Sequence, residues 1–515
     1  MATADLRLAI TAGDTNLDAV ALDARDRIVA RVKMPRGRDA DGDLYAAVRH
    51  VARTGGVRAA RISRVMLGSR APLEAVVARR DLCRTAVVRI GAPLTAAVPP
   101  LSTWPADLRE AVSAGEAIIG GGARFDGDAG APLDTDALAA FLAGIAGEAQ
   151  TVAVASVFSP VAPEHELAAA DVVRRELGAA IPISLSHEIG SLGLLDRENA
   201  TVLNAALVGV AAQLAAVLRR ALERHRIDAE LFFGQNDGTV MALEPALRFP
   251  VLMIGSGPAS AMRGAAWLSG VTAGVVVDIG GARADVGILV NGFPREAPAP
   301  IRVAGVRTSF RTPDVISLPF GGVTVVPPGP APGNASPGPV LGEQALVFGG
   351  ETATLIDAAV AAGRVVLGSR ALTLRQRRTL AGALAPVDAQ LADAVDRIKR
   401  APHDVALVAV GGASGLVPSD LPGVDEVIVP GDGDVAGAVG LAIAPAGGQA
   451  DRIFRNRPAD RDHAIAAARE EALARAIHAG ADPDRVAVVA VNEAPLAYMH
   501  DPAIRIRVKA AGPRI

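Results

Sequence analysis

The stretch VVVDIGGARADVGILV, Val275 to Val290, decides how this chain is read. A run of valines fits a buried strand, the Gly280–Gly281 pair permits a tight turn with bare backbone N–H groups, and a second apolar run leads back into the core. The spacing predicts a hairpin carrying Asp278 just before its turn and Asp285 just after it. Glycine amides in such a turn can hold phosphate oxygens, and the carboxylate can orient a cation or an attacking water. A plain Gly-Gly hairpin with a solvated Asp fits the same residues, so the reading depends on what else the chain carries.

Near the N-terminus, LAITAGDTNLDAVALD, Leu8 to Asp23, resembles this stretch, with Gly13 in the turn and Asp18 where Asp285 sits in the later copy. A third element, VALVAVGGASGLV from Val405 to Val417, runs an apolar strand into Gly411 and Gly412 and then into a helix-like segment. Strand, glycine turn and helix form a recurrent nucleotide-binding geometry, although a plain strand-to-helix turn also uses glycine. Two similar hairpins far apart in one chain predict a duplicated fold that closes on a nucleotide.

The 515 residues, half of them apolar, are enough for two large α/β lobes. A net charge of −3, without blocks of like charge, gives no electrostatic argument for a nucleic-acid partner. The single cysteine, Cys83, excludes an internal disulfide, and no pair of the eight histidines has the spacing of a zinc site. The N-terminus lacks the basic start and long apolar core of a secretion signal, which points to a cytoplasmic protein. The most apolar window, Val202 to Leu218, contains Asn204 and Gln213 and falls short of a membrane span of about 20 apolar residues, so it reads as a buried helix.

Strand-like runs at Ile62–Leu67, Thr151–Ser156 and Ile181–Leu185 alternate with helical patterns such as Asp134–Gly147 and His165–Leu177, which argues for α/β architecture. The Pro- and Gly-punctuated VPPGPAPGNASPGPVLG, Val326 to Gly342, reads as a flexible loop. Gly447 and Gly448 mark a boundary, after which a helix from Arg461 to Gly480 and the alternating VAVVAVNEA and IRIRVKA predict a small helix-and-strand cap. The expected division is an N-terminal lobe over 1–185, a second lobe over 186–446 and a cap over 447–515.

Many ordered blocks carry a closer resemblance: TNLDAVALD, SHEIGSLGLLDRENATVLNAAL, FFGQNDGTVM, GSGPASAMRGAAWLSG, DIGGARADVGILVNGFPRE, ALVFGGET, GGASGLVP, GVDEVIVP and PLAYMHDPAIRIRVKA. They resemble the hydantoinase/oxoprolinase family, specifically its A-type subunit in the short bacterial form, within the actin-like and sugar-kinase ATPase superfamily. The resemblance implies a two-lobed actin-like α/β fold, a duplicated ribonuclease H-like core, with a small C-terminal α+β cap. It implies ATP and magnesium as cofactors, and phosphorylation of the carbonyl oxygen of a hydantoin, 5-oxoproline or related lactam or imide, which makes ring hydrolysis feasible. The implied partners are the cyclic amide and a second protein subunit, with a homo-oligomer left open. Carried over block by block, Asp278 is the catalytic and metal-binding carboxylate, Gly280, Gly281 and Asp285 complete the second phosphate loop, and Gly13, Thr15, Asn16 and Asp18 form the first. Gly411 and Gly412 become the adenosine contact, and Gly321 and Gly322, in PFGGVT, stand in the family's triple-glycine turn.

This sequence also departs from the family. Thr11 takes the place of the Asp that usually opens the first loop, Asp14 takes that of a glycine, and Ala282 and Ala284 stand where Thr is common. The family's Gly-Thr-Thr-x-x-Thr-Asn appears as Gly68-Ser69-Arg70-Ala71-Pro72-Leu73-Glu74. An acidic side chain in a phosphate cradle repels ATP, unless Arg70 and Arg283 offset it or Asp14 takes over a metal-binding role. Two readings follow: an ATP-dependent hydrolase or activating subunit, and a noncatalytic scaffold or regulatory subunit with a decayed nucleotide site.

Overall fold

The computed structural model describes residues 6–37, 39–54, 57, 59–124, 130–190, 193–298, 300–327, 344–399, 403–455, 461–496 and 503–514. Most of the Pro- and Gly-rich segment expected to be a loop lies outside the described residues.

Two sheets repeat one plan. In the first, Leu6–Ala12 pairs antiparallel with Asn16–Leu22, which pairs antiparallel with Ile28–Pro35, while the other edge of Leu6–Ala12 takes Ile62–Ser69 in parallel. Glu230–Gly234 then adds in parallel to Ile62–Ser69. In the second, Gly274–Ile279 pairs antiparallel with Ala284–Val290, which carries Phe293–Pro294 and Val315–Leu318 antiparallel. Its other edge takes Val405–Val410 and then Val424–Ile428, both parallel. The β-branched runs explain these strands: Val275, Val276 and Val277 are fully buried, as central strands covered on both faces require.

Three C-terminal strands, Ala446–Arg455, Ala487–Leu496 and Ala503–Gly512, extend the first sheet beyond Val240–Ala242. They join it through a single register pair, Val240 with Ala446, and pack the Arg461–His478 helix by an alanine stripe of Ala464, Ala468, Ala472 and Ala476. A separate four-stranded parallel sheet, Ser113–Gly120, Thr85–Ala92, Thr151–Ser156 and Ile183–Leu185, is covered by the Thr135–Gly144 and Glu164–Leu177 helices. The alternation of strands and helices expected from the sequence is therefore the alternation observed.

The apolar window around Val202 is part of two helices, Leu194–Ala206 and Val208–Arg224, with a break at Leu207. The first is buried on every side from Arg197 to Ala206, whereas the second is amphipathic and exposes Arg219 and Arg220. This stretch is long and apolar enough to cross a membrane, but 67% of its most apolar window is buried inside the protein. A fully buried pair, Arg89 with Glu198 at 2.6 Å through two parallel bonds, ties the first of these helices to the parallel sheet.

Candidate functional site

The turns of the two repeated hairpins face each other across a cleft of about 360 Å³. Gly13, Thr15, Asn16 and Asp18 line it from the first hairpin, and Asp278, Gly280, Gly281 and Asp285 from the second, with Gly322, Gly411 and Gly412 completing the wall. Gly321 lies just behind, where a side chain would collide with the Gly281 carbonyl. The motifs singled out in the sequence thus converge on one cavity.

The glycines allow backbone to pack on backbone. Gly322 and Val323 donate their amides to the carbonyls of Gly280 and Gly281 at 3.0 and 2.9 Å. A Cβ on Gly281 would strike Thr15 of the opposite turn, so absence of a side chain lets the two hairpins meet. Gly411 has φ +88° and a Cβ there would strike the Asp278 carboxylate, while the Ala413 amide bonds the Ile279 carbonyl at 2.9 Å. The segment after Gly412 is a short 3-10 turn, Ser414–Leu416, and not a longer helix. The amides of Gly13 and Gly280 close their own turns onto Asn16 and Arg283, which leaves the remaining turn amides for a ligand. A further donor is the amide of Gly257, which lines the cleft at the N-terminal end of the Ser256–Ser269 helix beside Pro258, a residue without an N–H.

Register places Asp278 directly opposite Asp285, and Thr11 directly opposite Asp18. Burial, reinforced by the charge of Asp285, pushes the Asp278 carboxyl up to about 7 against the pull of Arg70 and Lys33. Asp278 forms no hydrogen bond among the described residues, whereas Asp285 accepts one from the Ser317 hydroxyl. In the first hairpin, Asp18 is met by Lys33 at 2.7 Å, and Lys33 also donates to the Asp434 carbonyl at 2.8 Å. Burial still raises the Asp18 carboxyl above its ordinary value.

Asp14 has two cationic partners: Arg283 Nε at 2.9 Å and Arg70 Nη1 at 3.5 Å. Asp14 therefore sits between two arginines that also line the cleft. This is the offset that the sequence offered as one way to tolerate Asp14, whereas nothing in the sequence assigned Lys33 or Asp434 to the site. The available signal was rarity, since Lys33 is one of only three lysines in the chain.

The residues present fit a phosphate-bound cation. Among the described residues no group of three or more His, Cys, Asp and Glu could cage a metal ion. One or two carboxylates beside phosphate oxygens is the mode magnesium prefers, and Asp278 is a carboxylate with no competing hydrogen bond.

Comparison with solved structures agrees with this architecture. An ATP-dependent caprolactamase from Pseudomonas jessenii superposes with a TM-score of 0.78 at 18% identity, covering 98% of this chain and 87% of that one. A nucleotide-free acetone carboxylase, from a study of ATP-dependent acetone carboxylation, gives 0.70 at 17% identity, covering 99% and 88%. The two-lobed, actin-like α/β fold expected from the sequence is the observed one. No curated protein matches in sequence. Two family models do match: the hydantoinase/oxoprolinase N-terminal region over residues 7–177 and hydantoinase/oxoprolinase over residues 197–373, together more than half of the chain. This chain belongs to the hydantoinase/oxoprolinase family.

Proposed function

We propose that this protein is a cytoplasmic, ATP- and magnesium-dependent enzyme of the hydantoinase/5-oxoprolinase type, which activates a cyclic amide by phosphorylation of its carbonyl oxygen. The observation that carries this reading is the convergence of both hairpin turns and the Gly411–Gly412 turn on one cleft. Bound ATP supplies the phosphoryl group that converts a ring carbonyl oxygen into a leaving group. Ionised Asp278 would hold the cation, and the open turn amides, with the N-terminus of the Ser256–Ser269 helix, would take phosphate oxygens. Gly411 and Gly412 would leave room for adenosine. In this reading a second protein subunit completes the hydrolysis, in keeping with the A-type resemblance.

A second reading, a noncatalytic scaffold or regulatory subunit, is favoured by the Asp14 pairing, because Arg70 and Arg283 are neutralised inside the cradle. Calorimetric titration with magnesium ATP separates the two. Saturable binding that Asp278→Ala abolishes supports the enzyme. No binding by wild type, together with binding by Asp14→Gly, supports the noncatalytic subunit.

A further inference from the structure

A second cavity, of about 230 Å³, backs onto the nucleotide cleft. Asn236 lines it and accepts a bond from the Gly255 amide at 2.6 Å, while Gly257 and Pro258, just beyond, line the cleft. Among the described residues the two cavities share no lining residue.

Most charges around this cavity have partners. Arg248 pairs with Glu188 at 2.6 Å, Asp451 with Arg505 at 2.5 Å and Asp237 with Lys509 at 2.9 Å, Arg475 shares Glu471 with Arg452, and Arg311 lies 3.9 Å from Glu296. Burial alone would raise Asp237, yet Lys509 and bonds from Thr239 hold it down at about 2. A charged ligand that broke one of these pairs would leave its partner uncompensated, whereas a neutral ligand breaks none.

Its unused groups are polar and directional. Gln449 donates its side-chain N–H bonds to Asp237 at 2.6 Å and to Glu296 at 3.3 Å. Turning the amide over would set its oxygen against two carboxylates, so its orientation is fixed by chemistry. The same orientation leaves Gln449 Oε1 buried with no partner, and the Ser309 hydroxyl, also on the cavity wall, is buried and unpartnered too. His187 also lines the cavity, its Nδ1 held 2.6 Å from the fully buried Glu166 carboxylate. Arg311 adds guanidinium donors, and Met241, Phe249 and Leu252 supply an apolar side.

We propose that this cavity is a second small-molecule site, separate from the nucleotide cleft, which binds a compact neutral amide. The ligand N–H bonds Gln449 Oε1, its carbonyl accepts from Ser309 and Arg311, and its hydrocarbon part rests on Met241 and Leu252. The site rests on these groups alone and does not depend on the proposed function.

The test is calorimetry on the full chain without nucleotide, using 2-pyrrolidinone and hydantoin as probes. Saturable binding is expected, weakened at least tenfold by Gln449→Met and several-fold by Ser309→Ala, which keeps the assay decisive if the first variant fails to fold. Asp278→Ala and saturating magnesium ATP should leave it unchanged. Absence of binding by both probes overturns the site, as does binding that magnesium ATP displaces or that Gln449→Met and Ser309→Ala leave intact. Amide binding without any nucleotide binding would keep the site and remove the enzyme reading; nucleotide binding without amide binding would do the reverse.

Discussion

The two hairpins of the cleft share a backbone plan and differ in charge. At equivalent register positions the first presents Thr11 opposite Asp18 and the second presents Asp278 opposite Asp285. A lone carboxylate can be neutralised by a side chain of its own lobe, as Lys33 does for Asp18. Two facing carboxylates cannot both stay ionised at low cost, so the second hairpin holds a proton near neutral pH or draws in a cation. In the proposed function this difference divides the work of the cleft: the first turn closes it, and the second carries its chemistry.

The sharpest way to break this comparison is to remove each carboxylate in turn. Asp278→Ala is expected to weaken magnesium ATP at least 100-fold, about 2.7 kcal/mol, and Asp18→Ala less than tenfold. Equal losses in the two calorimetric titrations would show that the hairpins are interchangeable. The next effect is pH dependence. With the Asp278 carboxyl at about 7, its ionised fraction rises about tenfold between pH 6 and pH 8, and magnesium-dependent affinity should rise with it. The sign for stability is opposite. The folded carboxyl lies above its unfolded value, so the stability it contributes is present below about pH 4 and is lost as pH rises through about 7. Thermal unfolding of the ligand-free protein should show this decline, and Asp278→Asn should remove it.

A smaller effect tests the closing role of the first turn. Asp14→Gly frees Arg70 and Arg283 and should raise nucleotide affinity about fivefold, on the scale of one desolvated charge contact. A loss of affinity instead would mean that Asp14 positions these arginines for the phosphates.

The sequence made the hairpins legible because their signals are local: β-branched runs, paired glycines and an Asp at each end of a turn lie within one short stretch. The helices Thr135–Gly144 and Glu164–Leu177 were legible for the same reason, through apolar periodicity and, for the first, the Asp134 cap. What escaped is nonlocal. Asp14 and Arg283 are 269 positions apart, and only the family resemblance, which sets both in facing phosphate loops, brought them together. Lys33 lies on a strand whose alternation gives no hint that its side chain reaches Asp434 on the far side of the chain. The break at Leu207 coincides with the point where full burial gives way to a solvent-facing side, and Gly209, packed against Cys83, is the one local mark beside it.

The smallest expected effect concerns the cation that makes the first hairpin self-sufficient. Lys33 is partly exposed and so is Asp18, so their pair is worth less than about 1 kcal/mol. Lys33→Met should lower stability by that order, and the loss should depend on pH. Burial already raises the Asp18 carboxyl, Lys33 opposes that rise, and Asp434 adds to it. Without Lys33 the carboxyl should climb further. Near pH 3, where Asp18 is protonated in both folded and unfolded chains, the variant should lose little; above the folded value, where Asp18 must ionise beside Asp434, the deficit should be complete. Carboxyl titration by NMR, read beside thermal unfolding, follows both quantities. If Asp18 does not shift, Lys33 is not what neutralises this hairpin, and the contrast with Asp278 and Asp285 would have to rest on Thr11 alone.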